Sequence, residues 1–404
     1  MENADCPSAG LSAAGMTEWI RYRNAVISGI TILQHTEQKN KVEKEEKIHM
    51  EMQTKNMDDI YEESTVKESM DEICGALEEE ILKSDVPAEE KQIMLARLRK
   101  LCYTETNIML VGATGCGKSS TINALFSCNR QDEYVEIAKV GSRTDPETRD
   151  IERYRIGNLV LWDTPGLGDG TEIDEHHREV ITELLREVDE GEDGEENALI
   201  DLVLVILDGS TRDLGTSYQI LNEVIIPELK EDTGRILIAL NQADIAMKTG
   251  RHWDYEKNEP DETLTKFLEE KVASIRTRIK EDTGLDITPV YYCAGYEEES
   301  GDVVHPYNLS KLLYYILNAL PVQKRAAVFG GINTDAEQYE YNDDEMDYSE
   351  GVERNLYGMV DYIAEGVGNG AAVGLCILGT PGALVGSIVG GFIGGIKGIL
   401  NRIF

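Results

Sequence analysis

The sequence is short of positive charge. It sets 39 Lys and Arg against 76 Asp and Glu, a formal net charge of −37 over 404 residues. A surface of that sign repels phosphate backbones, so extensive direct nucleic-acid binding is not expected. The sequence also has no CxxC pair. Its seven cysteines (Cys6, Cys74, Cys102, Cys116, Cys128, Cys293, Cys376) stand singly, their number is odd, and no metal-ligand spacing joins them. That pattern predicts free thiols in a reducing compartment rather than a disulfide frame. The first fifteen residues, MENADCPSAGLSAAG, lack a basic stretch followed by an apolar run and are not read as a secretory leader. The expected location is cytoplasmic, at the inner face of the membrane if the C-terminal tail engages lipid. Global disorder is excluded by a hydrophobic content of 41%.

One absence is local. Residues 366–404 contain no acidic side chain and only Lys397 and Arg402 as basic ones. The whole acidic excess therefore lies ahead of them. Five regions are expected: a disordered 1–16, a helical 17–104, an alternating strand–helix region 105–325, an acidic linker running into a helix at 326–365, and the neutral tail 366–404. In the second region, Pro87, then Glu89 and Glu90, then Arg97, Arg99 and Lys100 mark a helix polarised to suit its dipole.

From residue 106 short apolar runs alternate with helical stretches. The runs are NIMLVG (107–112), RDIERYRI (149–156), NLVLWDTPG (158–166), DLVLVILDG (201–209), RILIALNQAD (235–244) and ITPVYYCAG (287–295). Helices are expected at 117–127, 173–188, 215–230, 261–281 and 308–319. This alternation predicts an α/β layered fold. The Gly157-Asn158 turn predicts one antiparallel hairpin in a mostly parallel sheet. An acidic run at 187–197 reads as a solvated loop.

Residues 112–119, GATGCGKS, match GxxxxGK[ST] between an apolar strand and a helical run. Gly112, Gly115 and Gly117 let the backbone bend. The N–H groups of Gly112, Ala113, Thr114, Gly115, Cys116 and Gly117 can then face phosphates at a helix N-terminus. Lys118 supplies a point charge to the β- and γ-phosphates, Ser119 a hydroxyl ligand for Mg²⁺, and Ser120 reaches the α-phosphate. The loop alone does not select the base. Asp163 in Asp163-Thr164-Pro165-Gly166 is expected to hold Mg²⁺ through water, and the Gly166 N–H to meet the γ-phosphate. Asn241-Gln242-Ala243-Asp244 ends a later strand, where the Asp244 carboxylate can accept both N–H donors of a guanine edge. Ala294 is placed to offer a backbone N–H to the guanine oxygen. Together these make GTP and GDP the expected ligands.

GATGCGKSSTINALF (112–126), TRD (148–150), DTPGLGD (163–169) and NQAD (241–244) resemble the TrmE–Era–septin branch of the TRAFAC-class GTPases. They are most similar to the bacterial YfjP/YkfA/YeeP-type proteins labelled the 50S ribosome-binding GTPase family. Trp253-Asp254 and ALP (319–321) add to the resemblance, which covers roughly residues 88–325. It implies a Ras-like P-loop GTPase fold, GTP and Mg²⁺ binding, and slow switching hydrolysis. It does not cover the first 85 residues or explain the tail. Two positions depart from the family: Gln242 replaces the usual NKxD lysine, and Gly115 stands where potassium-activated relatives carry Asn.

Thr144 and Thr148 both qualify as the γ-phosphate sensor. Thr148, directly before a strand, is preferred as a catalytic residue and Mg²⁺ ligand alongside Lys118 and Gly166. Leu167 follows Gly166 where Ras-like enzymes with Gln orient the attacking water. Leu cannot do this, so hydrolysis should be slow, with the orienting group supplied by a partner, a second protomer or backbone. Asp169, His176 and His177 read as solvated switch residues.

In the tail, Gly366, Gly370, Gly374, Gly382, Gly386, Gly390, Gly394 and Gly398 fall at multiples of four. On a helix these share one smooth face suited to close packing in lipid. Thr380-Pro381 divides the tail into 366–379 and 382–400. Two readings are open: a membrane-interacting Gly-rich hairpin over 366–400, or a hairpin that packs on the protein's own helices or self-associates. Dynamin-like or immunity-GTPase-like assembly and a ribosome-associated role are further alternatives.

Overall fold

The computed structural model describes residues 74–75, 78–79, 81–83, 86–126, 137–138, 151–166, 171–190, 196–211, 215–229, 232–297, 303–333 and 335–365. The expectations for 1–16, for most of the N-terminal helical region, for Thr144, Thr148, Leu167 and Asp169, and for the tail lie outside these residues.

Six strands form the central sheet: β1 (Thr106–Gly112), β2 (Glu152–Ile156), β3 (Leu159–Asp163), β4 (Leu202–Asp208), β5 (Ile236–Asn241) and β6 (Val290–Tyr291), in the order β6-β5-β4-β1-β3-β2. Every neighbouring pair is parallel except β2–β3, which is antiparallel. That hairpin turns through Gly157, whose φ of 56° is a backbone region favoured by Gly. The expected α/β class, with one antiparallel pair, is therefore the fold.

Alternation along β1 divides the core. Ile108 and Leu110 join one hydrophobic cluster, Met109 and Val111 the other. Leu202, Leu204 and Ile206 of β4 face the first cluster; Val203, Val205 and Leu207 face the second. A strand covered on both faces needs apolar residues at every position, which is why these runs are continuous. The first face is covered by α1 (Ala88–Tyr103), α2 (Lys118–Leu125), α6 (Leu309–Ala319), α7 (Arg325–Gly331) and α8 (Tyr348–Ala364). The second is covered by α3 (Thr171–Arg186), by α5 (Glu262–Thr283) and by α4, which runs Gly215–Ile220, through a π-turn Leu221–Ile225, to Ile226–Leu229. Asp261 caps α5 by accepting from Leu264 N at 2.9 Å, and Gly284 ends it at φ 78°.

Two local readings change. Val188–Glu190 and Glu196–Ala198 pair antiparallel, so the two ends of the acidic run form a short pair of strands rather than plain loop. Cys74 and Cys102 are bonded to each other, which corrects the expectation of free thiols for this pair; Cys116 and Cys293 remain free and buried. Sequence spacing could not show that Cys74 packs against α1.

Residues 332–348 are fastened to the sheet domain. Asn333 N donates to Leu125 O at 2.8 Å, and its side-chain amide reaches Asn123 O and Ala124 O. Tyr339 OH adds a bond to Leu125 O at 3.0 Å. These donors satisfy carbonyls in the last turn of α2 that the helix itself leaves open. Lys311 of α6 lies between Asp343 at 2.6 Å and Glu345 at 2.7 Å, and Tyr348 OH also donates to Asp343. Lys311 and Asp343 are both nearly buried, so each needs the other's charge.

Candidate nucleotide site

Register brings the strand ends to one edge of the sheet. Leu110 pairs with Asp163, Gly112 with Ile206, Asp208 with Asn241, and Leu240 with Tyr291. β1 lies where the chain order reverses across the sheet, the place where open α/β sheets bind ligands beyond their carboxyl ends.

The loop from Gly112 to Gly117 links β1 to α2. Gly115 at φ 77° and Gly117 at φ 91° hold the left-handed backbone it needs. Lys118 opens α2, and its ammonium folds back to Gly112 O at 3.2 Å and Ala113 O at 3.3 Å, almost fully buried. Ala113 N donates to Ser217 Oγ at 3.0 Å, so the N terminus of α4 steadies the loop. Sequence reasoning missed Ser217, because nothing local marks a contact across 104 positions.

Asp163 ends β3 and is fully buried. Its Oδ2 accepts from Ser119 Oγ at 2.7 Å, while Oδ1 is buried with no hydrogen-bond partner. Burial pushes this carboxyl up from the usual carboxylate range, and the Lys118 charge and the Ser119 bond oppose that. Thr164 anchors the following turn, its N and Oγ1 both donating to Leu110 O. The Gly166 backbone then lies flat against Thr114, where a Cβ would collide. His177 of α3 is buried, with Nδ1 3.2 Å from Gly166 O; His176 is exposed. The expectation that both histidines are solvated is corrected for His177.

Asn241 joins the two ends of the site. Its Nδ2 donates to Cys116 O at 2.9 Å and its Oδ1 accepts from Ala294 N at 3.0 Å. The Ala294 donor, assigned from sequence to a base oxygen, is thus held by Asn241 in this arrangement. Gln242 takes φ 61° and donates from Nε2 to Gly115 O at 2.9 Å, so it ties down the loop at the position where the resembled family carries a lysine. Asp244 sits in a turn of 3₁₀ helix, Ala243–Ile245. Both of its carboxylate oxygens are buried without a well-formed hydrogen bond. Burial raises this carboxyl too; Cys293 and Tyr296 approach closely enough to favour its charged form.

Ser119 Oγ and the Asp163 carboxylate are adjacent hard oxygen donors, and Oδ1 of Asp163 is unmatched. This set fits Mg²⁺, which prefers oxygen and takes few protein ligands when phosphates and water supply the rest. Among the described residues, no group of three or more His, Cys, Asp or Glu could hold a metal alone. Ser120, at the first turn of α2, is half-buried.

Residues 107–242 match the family model for the 50S ribosome-binding GTPase. Among curated relatives, Septin-8 of Xenopus tropicalis is 36% identical over 76 residues, which is 19% of this chain and 18% of that protein. The uncharacterised protein YfjP of Escherichia coli (strain K12) is 27% identical over 170 residues, 41% of this chain and 51% of that one. The chain thus spans about half or less of the relatives it matches. A solved structure of Toc33 from Arabidopsis thaliana in complex with GDP and Mg²⁺ aligns with 62% of this chain and 97% of its own, at 16% identity and a TM-score of 0.35. The matched segment carries the phosphate loop, the DTPG turn and the start of NQAD in order along one sheet edge, and it is over this segment that the chain is similar to a GTPase domain.

Proposed function

We propose that this protein is a guanine-nucleotide switch with slow, Mg²⁺-dependent GTP hydrolysis. The observation that carries the reading is a pair of buried carboxylates with unmatched oxygens at opposite ends of the site. Asp163 Oδ1 lies beside Ser119 and Lys118, and both oxygens of Asp244 lie beyond Asn241. An unpartnered buried acceptor is costly unless a ligand satisfies it. Asp244 suits the two N–H donors on a guanine edge, and Asp163 with Ser119 suits the metal. When bound, Mg²⁺ neutralises charge on the β- and γ-phosphates.

The residues divide the work. Lys118 and the loop N–H groups from Gly112 to Gly117 hold the phosphates, Ser120 reaching the α-phosphate. Gly166 and Thr148 read the γ-phosphate, Thr148 also meeting the metal. Asn241 keeps the base end in register with the phosphate end. Leu167 offers no group to orient water, which underlies the slow rate. Calorimetric titration with GTP, GDP and ATP tests this directly. GTP and GDP should bind and ATP should bind at least about 100-fold more weakly; comparable ATP affinity would reject the guanine assignment.

The tail supports a second part of the proposal: attachment to a membrane through residues 366–400, with self-association as the other outcome. Among the described residues no helix is long and apolar enough to cross a membrane; the tail lies beyond them. Its glycine period and its freedom from acidic residues carry the reading. The full chain should float with vesicles of bacterial lipid, and a chain ending at Glu365 should not. If both float, or neither does, the tail is not the anchor. Running the full chain with GDP and with a non-hydrolysable GTP analogue tells a constitutive anchor from a gated one. The ribosomal label of the family supports a third reading, and the net charge of −37 directs any such contact to ribosomal protein rather than RNA.

A further inference from the structure

His177 is a buried group at the phosphate end that the reading above leaves without a role. It lies on α3, eleven positions past Gly166, and its ring returns to that glycine. A carbonyl oxygen only accepts, so the 3.2 Å approach of Nδ1 to Gly166 O requires a proton on Nδ1. Both the neutral Nδ1–H tautomer and the imidazolium meet that requirement.

Gly166 is held from two sides. On one side its backbone presses on Thr114 of the phosphate loop, close enough that no side chain fits. At its carbonyl stands the His177 ring, itself buried. Gly lacks a Cβ and has the widest choice of ψ of any residue. A donor fixed on its carbonyl removes that choice and so keeps the glycine, with the N–H it carries, in place against the phosphate loop. Behind it, Thr164 is bonded to Leu110 O through both N and Oγ1, so the turn is rigid up to the glycine and needs one more restraint beyond it.

We infer that His177 is a positioning residue for GTP hydrolysis, holding the Gly166 carbonyl through Nδ1–H so that the Gly166 N–H is aimed at the γ-phosphate. This rests on the GTPase reading and deepens it. In this chain Leu167 gives hydrolysis no side-chain help, so the orientation of the glycine backbone carries more of the transition-state stabilisation than it would beside a glutamine. Gly166 contacts the γ-phosphate alone, so loss of the restraint should fall on turnover and on affinity for GTP, and not on affinity for GDP.

Single-turnover GTP hydrolysis and GDP affinity, measured on the full chain with Mg²⁺, test this through three variants. His177→Ala removes the donor. His177→Asn keeps a donor near the Nδ1 position, and His177→Gln places one nearer Nε2. His177→Ala should lower the hydrolysis rate about tenfold, the size of one well-placed hydrogen bond, with GDP affinity within about twofold of the parent. His177→Asn should restore the rate to within about threefold, and His177→Gln should not. An unchanged rate in His177→Ala, equal rates in the Asn and Gln variants, or loss of GDP binding in His177→Ala would each overturn the inference, the last by showing a merely structural role. If the parent protein neither binds GDP nor hydrolyses GTP, it is the GTPase reading that fails, before His177 is in question.

Discussion

Lys118→Ala should abolish measurable GTP binding, weakening it by at least about 100-fold in calorimetry at near-physiological salt. The reason lies in the field around the site. The protein carries a net charge of −37 and its ligand is a polyanion, so the body of the molecule repels what the site must hold. Attraction has to be local. It can come from the loop N–H groups, the N-terminus of α2, the metal and the Lys118 ammonium. The Lys118 ammonium is the only full side-chain charge of these, and Asp163 beside it works in the opposite direction. The side chain is buried and already directed across the loop by Gly112 O and Ala113 O, so little conformational freedom is lost when it engages phosphate. High salt should weaken the parent's binding only modestly, because a buried pair is poorly screened. Unchanged affinity in Lys118→Ala would remove the phosphate-loop assignment altogether.

The residues that carry this argument differ in how legible they were. Lys118, Ser119 and Asp163 could be read directly, because a phosphate loop requires Gly at fixed offsets and the strands around it must be apolar at every position. β1 and β4 satisfy that rule, and their continuous runs gave the sheet. His177 could not be read. Its neighbour His176 has the same residue type and is exposed, and only the rotation of α3 on the sheet decides which of the two turns inward. Ser217 and Asn333 were hidden for a related reason: each satisfies a backbone group more than 100 positions away, and sequence periodicity reports which face of a helix is buried but not what lies against it. Residues 332–348 combined high charge with scattered tyrosines, a composition that suggests solvent. Two of their acidic side chains, Asp343 and Glu345, are instead matched by Lys311, and Tyr339 and Tyr348 place their hydroxyls on Leu125 O and Asp343. Ala294 lies beyond the last strand of the sheet, and its N–H partner depends on the rotamer of Asn241, which no spacing encodes.

Asp244→Asn should exchange base preference, weakening GTP and strengthening xanthosine triphosphate so that their affinity ratio shifts by about 10³-fold or more. The geometry makes this stricter than a lost contact. Both Asp244 oxygens are buried acceptors without a well-formed hydrogen bond. Guanine offers two N–H donors in that direction, whereas xanthine replaces one of them with an oxygen. An amide at position 244 presents one acceptor and one donor, the complement of xanthine and a clash of donors for guanine. Gln242 sharpens the dependence. With its amide committed to Gly115 O, it supplies no long cationic stem over the base, so Asp244 carries a larger share of recognition. The same burial has a cost in the nucleotide-free protein. A carboxyl whose folded-state pKa is raised adds stability below its unfolded value, and that contribution is lost as pH rises through the raised one. At neutral pH the ionised Asp244 is therefore a burden that guanine relieves. Asp244→Asn should thus bind GTP poorly yet unfold no more easily than the parent when neither holds nucleotide, as thermal unfolding with and without GDP can measure. A variant that lost both GTP affinity and nucleotide-free stability would indicate a collapsed loop, and one that kept its preference for GTP would remove Asp244 as the base-reading residue.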